Sequence, residues 1–96
     1  MIEIKLFEIV GEFAENKDIA RDIRKQRIIP ELNNNQKVIL NFEGIHAATQ
    51  SFIHALISDL LRKYGNDVLD KISFKHCDEI VQKIINIVVE YMQESA

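Results

Sequence analysis

The sequence predicts a small α/β domain, with a mostly parallel sheet of three to four strands and three helices. Short apolar stretches at residues 2–6, 38–42 and 72–74 have the length of strands, and an amphipathic stretch follows each of them. Strands that alternate with helices along a chain are typical of parallel strands joined by helical crossovers. The chain has 96 residues, which is the size of one domain, so we assign residues 1–96 to a single domain.

The first strand is predicted near the N-terminus, where Ile2, Ile4 and Leu6 alternate with polar residues. A period of two places alternate side chains on the same face, so we expect a strand with one buried face. A fourth strand near residues 8–13 is left open, because the alternation there is weak.

The first helix is predicted from Lys17, with Asn16 as its N-cap. Helical spacing turns three apolar residues toward the core, namely Ile19, Ala20 and Ile23. Three basic residues are expected to face water, namely Arg21, Arg24 and Lys25. Pro30 disfavours helical geometry at the residue before it, so we expect a break or kink at that point.

Residues 38–42 (VILNF) form a nearly continuous apolar run, which is typical of a central strand covered on both faces. A helix is predicted from about Gln50, because apolar residues then recur at spacings of three and four. These residues are Ile53, Leu56, Ile57, Leu60, Leu61 and Tyr64. Gly65 follows in the usual C-capping position.

The last strand is predicted at residues 72–74 and the last helix from about Asp78 to about Met92. At about 100° per residue, the apolar residues of this helix cover roughly 200° of its circumference, more than one buried stripe requires. They are Ile80, Val81, Ile84, Ile85, Ile87, Val88, Val89, Tyr91 and Met92. Either neighbouring helices cover the excess, or it is an interface with a second copy or a partner groove. The candidate interface residues are Ile85, Val89 and Met92.

Composition and charge argue against several classes of function. The formal net charge is −3, whereas a nucleic-acid-binding domain normally carries a basic face. The chain has no apolar run of about 18 residues, the length that a transmembrane helix needs. Cys77 is the single cysteine, so no intrachain disulfide is expected and a reducing compartment fits. The opening MIEIKL lacks a signal-peptide pattern, so we expect a cytoplasmic protein. From the net charge and the lack of a long apolar run, we also expect that it binds neither nucleic acid nor membrane.

The sequence shows no pattern of catalytic or metal-ligating residues. The residue types that ligate zinc are His46, His54, His76 and Cys77, and they lack the close spacing of structural zinc sites. The three glycines are far apart, so no phosphate-binding loop is indicated. We therefore expect that the protein binds no metal or cofactor and is not an enzyme.

Polar residues cluster between the central strand and the helix that follows it. Glycine suits the tight turn after the strand, and the helix N-terminus offers free backbone N–H groups and the positive end of the helix dipole. We call this cluster the rim, and it consists of Gly44, His46, Thr49, Gln50, Ser51 and His54. In the simpler interpretation Thr49 or Ser51 only caps the helix, and in the functional one the rim meets a partner.

Three segments of the chain resemble the STAS-like family of small bacterial proteins. They are VILNFEGI with the pair SF at positions 51 and 52, GEFAENKDIARDI, and ISFKHCDEIVQKII. The resemblance covers nearly the whole chain and implies a STAS-like fold. More distantly, the chain is similar to the STAS domains of anti-sigma factor antagonists. The D-S-S-G signature of those domains falls on Thr49, Gln50, Ser51 and Phe52, and only Ser51 keeps the hydroxyl of its matching position.

The resemblance implies a non-catalytic, anti-anti-sigma-like regulatory domain that binds another protein, namely a serine kinase of the histidine-kinase-like ATPase type. The usual phosphoacceptor position of those domains falls on Gln50, which has no hydroxyl. The candidate phosphoacceptors here are therefore Ser51 and Thr49, where a phosphate would add about two negative charges at a helix N-terminus. Two alternatives stay open. One is a homodimeric structural or scaffold domain that uses the last helix, and the other is a domain that binds a nucleotide or another small anion at the rim.

Overall fold

Three parallel strands form the main sheet of the protein, whose computed structural model describes residues 1–95. They are β1 (Ile2–Lys5), β3 (Val38–Asn41) and β5 (Ile72–Lys75), and β3 lies between the other two. A separate ribbon pairs β2 (Phe13–Ala14) in parallel with β4 (Ala47–Ala48). The predicted α/β fold with parallel strands is confirmed.

Helical segments follow the strands of the main sheet. They are α1 (Phe7–Val10), α2 (Lys17–Ile23), α3 (Ile29–Asn33), α4 (Gln50–Tyr64) and α5 (Glu79–Ser95). A π-helical turn at Arg24–Ile28 joins α2 to α3, and a 3-10 turn at Asn66–Asp70 precedes β5. The region left open at residues 8–13 forms most of α1 and the start of β2, so short helices accompany the three that the sequence predicts.

The main sheet has one buried apolar face. In the strand register, Ile4, Leu40 and Phe74 lie side by side on this face. The opposite face carries side chains that are all exposed or half-buried, namely Glu3, Lys5, Ile39, Asn41, Ser73 and Lys75. The expectation that the central strand is covered on both faces was therefore wrong. Its neighbours contribute charged residues to that face, and charged groups favour contact with water over burial beneath a helix.

The chain from residue 17 to residue 33 is helical, with one change of helix type. Asn16 caps α2 as predicted, because its side chain accepts hydrogen bonds from the backbone N–H groups of Asp18 and Ile19. The break expected at Ile29 does not occur, because Ile29 has helical backbone angles and the π-helical turn at Arg24–Ile28 continues directly into α3. Pro30 lies in the first turn of α3, where a missing N–H group costs least.

Arg24 is buried, which corrects the expectation that it faces water. Its guanidinium donates a hydrogen bond of 2.6 Å to the carbonyl oxygen of Ala55 and lies 3.2 Å from a carboxylate oxygen of Asp59. At helical spacing Arg24 lies only about 40° from Ala20, at the border of the apolar face. Its aliphatic stem can therefore pack against α4 while its charged end meets oxygen atoms there.

The hydrophobic core joins the apolar face of the sheet to α2, α4 and α5 in one cluster. The predicted inward side of α4 is confirmed, because the core includes Ile53, Leu56, Ile57, Leu60 and Leu61. Gly65 ends α4 with a φ of 73°, a left-handed value that glycine adopts without strain.

Candidate functional site

Thr49 is the N-cap of α4. Its Oγ1 accepts a hydrogen bond of 3.1 Å from the backbone N–H of Phe52, and its own N–H donates one of 2.9 Å to the carbonyl oxygen of Ala14. The second bond ties the start of α4 to β2. The capping interpretation therefore holds for Thr49, whose hydroxyl stabilises the helix end.

Three residues of the rim share one open cleft. Gln50, Ser51 and His54 line it from α4, and Lys17 and Ala55 complete its lining. Its volume is about 460 Å³. Gln50, Ser51 and Lys17 are all exposed. The cleft thus combines an ammonium group, a hydroxyl and the positive end of a helix, a combination that suits contact with polar or anionic groups.

Besides Thr49, two more rim residues lie outside this cleft, namely His46 and Gly44. His46 has its Nδ1 3.6 Å from Oδ2 of Asp78, directly before α5. Gly44 has a φ of 91°, and a Cβ atom on it would come within 2.8 Å of the ring of Phe7. Gly44 therefore shapes the turn, as predicted, and the ring of Phe7 packs over it. The structure does not place Gly44 or His46 in the lining of the cleft.

The segment from His46 to His54 runs alongside α5. At one end His46 meets Asp78, and at the other the ring of His54 lies 6.5 Å from the ring of Tyr91 between centroids. Asp78 and Tyr91 lie about 20 Å apart along the helix at about 1.5 Å per residue. β4, which belongs to this segment, also packs against α5. The rim and the surface of α5 are therefore neighbours.

The exposed apolar residues of α5 differ from the predicted interface residues. Ile85 and Met92 are buried in the protein's own core, and Val89 is half-buried against it. The side chains that remain exposed are Ile80, Ile87 and Tyr91, at 60%, 48% and 58%. The predicted excess of apolar surface is thus present, but Ile85 and Met92 face inward because they belong to the row that packs on the sheet and α4.

The thiol of Cys77 is half-buried. Burial, together with the negative charge of Asp78, raises its pKa from 9.0 to about 11. A thiol with this pKa stays protonated at neutral pH, which leaves little thiolate for nucleophilic chemistry. Within residues 1–95, no three His, Cys, Asp or Glu side chains come together in a way that could hold a metal ion.

Sequence reasoning missed three residues that border the rim: Lys17, Asp78 and Tyr91. Each lies more than 30 residues in sequence from the rim residue that it adjoins, so no local periodicity could have predicted the contact. The one signal available for Lys17 was its place directly after the helix cap Asn16, at the start of a helix that packs on α4.

A family model described as "STAS-like domain of unknown function (DUF4325)" matches residues 19–82. The match extends from α2 to the first turn of α5 and includes every rim residue. The chain therefore belongs to this STAS-like family, which confirms the resemblance drawn from its sequence. No curated protein and no solved structure matches the chain. Among the described residues, no helix has both the length and the apolar character needed to cross a bilayer.

Proposed function

We propose that this domain is a non-catalytic regulatory module that binds another protein through its rim. The partner is a serine kinase of the histidine-kinase-like ATPase type, as in the bacterial partner-switching systems of the more distant STAS domains. Membership of a STAS-like family supports this proposal. The exposed polar cleft at the start of α4 supplies a surface for the contact.

One observation carries the proposal: Gln50 and Ser51 are exposed in the first turn of α4, in a cleft that Lys17 also lines. Capping does not account for Ser51, because Thr49 already provides the side-chain cap of this helix. A hydroxyl that is exposed at a helix N-terminus, in a cleft that a lysine also lines, is well placed for a partner to contact or modify.

Ser51 is the proposed phosphoacceptor, in preference to Thr49. The hydroxyl of Thr49 is half-buried and engaged with the N–H of Phe52, whereas Ser51 is exposed. A phosphate on Ser51 would add about two negative charges at the helix N-terminus, in the cleft that Lys17 also lines, and both positive groups favour an anion. The fold would tolerate this phosphate, while a partner docked over the cleft would have to desolvate it.

The proposal is tested with purified histidine-kinase-like ATPases of the native host. Each is incubated with the domain and ATP, and phosphate incorporation is read from the intact mass. We expect one phosphate on the native protein and on Thr49→Ser, and none on Ser51→Ala. Phosphate that still appears on Ser51→Ala would reject Ser51 as the acceptor.

Binding is measured in parallel, by calorimetry with the same ATPases. We expect Ser51→Asp and Gln50→Glu to weaken binding at least tenfold, which is about 1.4 kcal/mol, without lowering the melting temperature much. Glu43→Gln is the matched control, because Glu43 is exposed but does not line the cleft. Equal binding by all variants would remove the rim from the proposed interface.

A homodimeric scaffold domain is a second candidate function. The exposed apolar residues of α5 favour it, because a soluble monomer seldom leaves a row of large apolar side chains in water. Sedimentation equilibrium tests it directly, and a single monomeric species at high protein concentration would count against it.

A further inference from the structure

We propose that a second copy of this chain docks on α5 in antiparallel orientation, and that the resulting two-fold dimer also covers the rim. This proposal rests on the homodimer, which is the second candidate function above. It adds the geometry of that dimer and its effect on the binding of another protein at the rim. It begins from the apolar side chains that α5 leaves in water.

Four apolar residues form one row along α5, and we call them the α5 stripe: Ile80, Ile84, Ile87 and Tyr91. Their spacings of four, three and four are those of the contact positions in a helix pair. Ile84 is half-buried, and the other three are about half exposed or more. The stripe is separate from the inward row of Val81, Ile85, Val88 and Met92, which the core already buries.

The stripe is self-complementary in the antiparallel sense. A two-fold axis near its centre sets Ile80 opposite the Tyr91 of the second copy, and Ile84 opposite its Ile87. Each layer then pairs one large apolar side chain with another, so both copies bury the same patch, as a two-fold interface requires. The large aromatic ring lies at each end of the contact.

Charge complementarity selects the antiparallel orientation. Lys83 and Glu90 are both exposed and lie on one flank of the stripe, seven residues apart. The antiparallel arrangement brings each Lys83 next to the Glu90 of the other copy, so two opposite-charge pairs form. A parallel arrangement instead sets the Lys83 flank against the Val88 side of the other helix. The Lys83 ammonium has a 3.9 Å contact with Glu79, an exposed pair of small energetic value that leaves it available.

A stable dimer needs more buried area than the α5 stripe alone provides, so the contact must extend onto the rim. A specific interface buries about 800 Å² on each partner, whereas an apolar patch on a monomer amounts to a few hundred Å². The flank of the stripe opposite Lys83 is bordered by the segment from His46 to His54, which contacts α5 at both of its ends. The dimer therefore covers part of the rim, and a partner that binds the rim competes with dimerisation.

The dimer is tested by sedimentation equilibrium of the full chain over a concentration series. We expect the native protein to form a dimer and Ile87→Glu to be monomeric, with far-UV circular dichroism unchanged. Ile9→Glu is the matched control, because Ile9 is 40% exposed but belongs to α1 and not to α5. A native protein that stays monomeric, or a dimer that survives Ile87→Glu, would overturn the proposal.

The antiparallel geometry is tested by charge exchange. We expect Lys83→Glu and Glu90→Lys each to weaken dimerisation several-fold, and the double variant to restore it. A double variant as weak as the single ones would refute the antiparallel pairing.

Coverage of the rim is tested by amide hydrogen exchange at low and high protein concentration. We expect residues 50–54 to exchange more slowly at high concentration in the native protein but not in Ile87→Glu. If only the amides of α5 exchanged more slowly, the proposed dimer would stand but would not cover the rim. That result would refute the competition between dimerisation and partner binding. These outcomes do not depend on a kinase, so they are separate from a failure of the phosphorylation experiment.

Discussion

Arg24 shows how a single charged side chain can link two helices. It is 8% exposed, and its guanidinium bonds the carbonyl oxygen of Ala55 and pairs with Asp59, both on α4. A hydrogen bond to a charged group is worth more than one between neutral groups. Arg24 therefore fixes how the end of α2 lies against α4, and with it the position of the cleft.

We predict that Arg24→Ala lowers the free energy of unfolding by about 2 kcal/mol, because both charge-assisted contacts are lost. Arg21→Ala is the control: its 3.1 Å pair with Asp18 is exposed, so the change should stay within about 0.5 kcal/mol. Urea denaturation measures both. Equal losses for the two variants would contradict this role of Arg24.

Cys77 gives a prediction about pH. Its pKa is raised from 9.0 to about 11, so the folded protein holds the thiol proton over a range where the unfolded chain has lost it. The stability that this proton contributes is present below about pH 9 and is lost as the pH rises toward about 11. Alkylation by iodoacetamide should therefore have its midpoint near pH 11 in the folded protein and near pH 9 in urea. A folded-state midpoint near 9 would contradict the effect of burial.

At the scale of the element, the first turn of α4 contains one hydroxyl that caps the helix and one that does not. Thr49 supplies the cap, and Ser51 lies exposed two residues later. We predict that Thr49→Ala lowers the free energy of unfolding by about 1 kcal/mol, because an N–H of the first turn loses its acceptor. Ser51→Ala should change it by less than about 0.5 kcal/mol, as expected for a surface position. Thermal and urea unfolding distinguish the two, and a larger loss for Ser51→Ala would reassign the cap.

α5 carries two rows of apolar side chains that lie in different environments. The inward row packs in the core, and three of the four residues of the α5 stripe are exposed. The sequence predicts the total apolar circumference of α5, because that depends only on helical spacing. It does not predict which row faces inward, because that depends on where the sheet and α4 lie.

At the scale of the whole molecule, the proposed dimer would link stability to protein concentration. A ligand that binds only the folded state raises the apparent melting temperature, and a second copy acts in the same way. We predict that the melting temperature of the native protein rises with concentration, whereas that of Ile87→Glu does not. Differential scanning calorimetry measures this, and a constant melting temperature in the native protein would contradict the dimer.

The main sheet also depends on the whole molecule. Residues 38–42 resemble a strand buried on both faces, yet Ile39 and Asn41 are only half-buried. Their neighbours Glu3, Lys5, Ser73 and Lys75 are exposed on the same face. The composition of one strand cannot reveal the polarity of a face to which three strands contribute.

By itself, the sequence determined the alternating strands and helices, the STAS-like family, the cap at Asn16, the inward face of α4 and the turn at Gly44. The family follows from the resemblance of three segments, and each of the other features follows from local spacing or backbone preference, which neighbouring residues determine without the rest of the chain. Only the tertiary structure decided that Arg24 is buried, that Lys17 joins Ser51 in a cleft, and that the rim lies beside α5. Those facts depend on contacts between residues distant in sequence, and such contacts exist only once the helices have packed on the sheet.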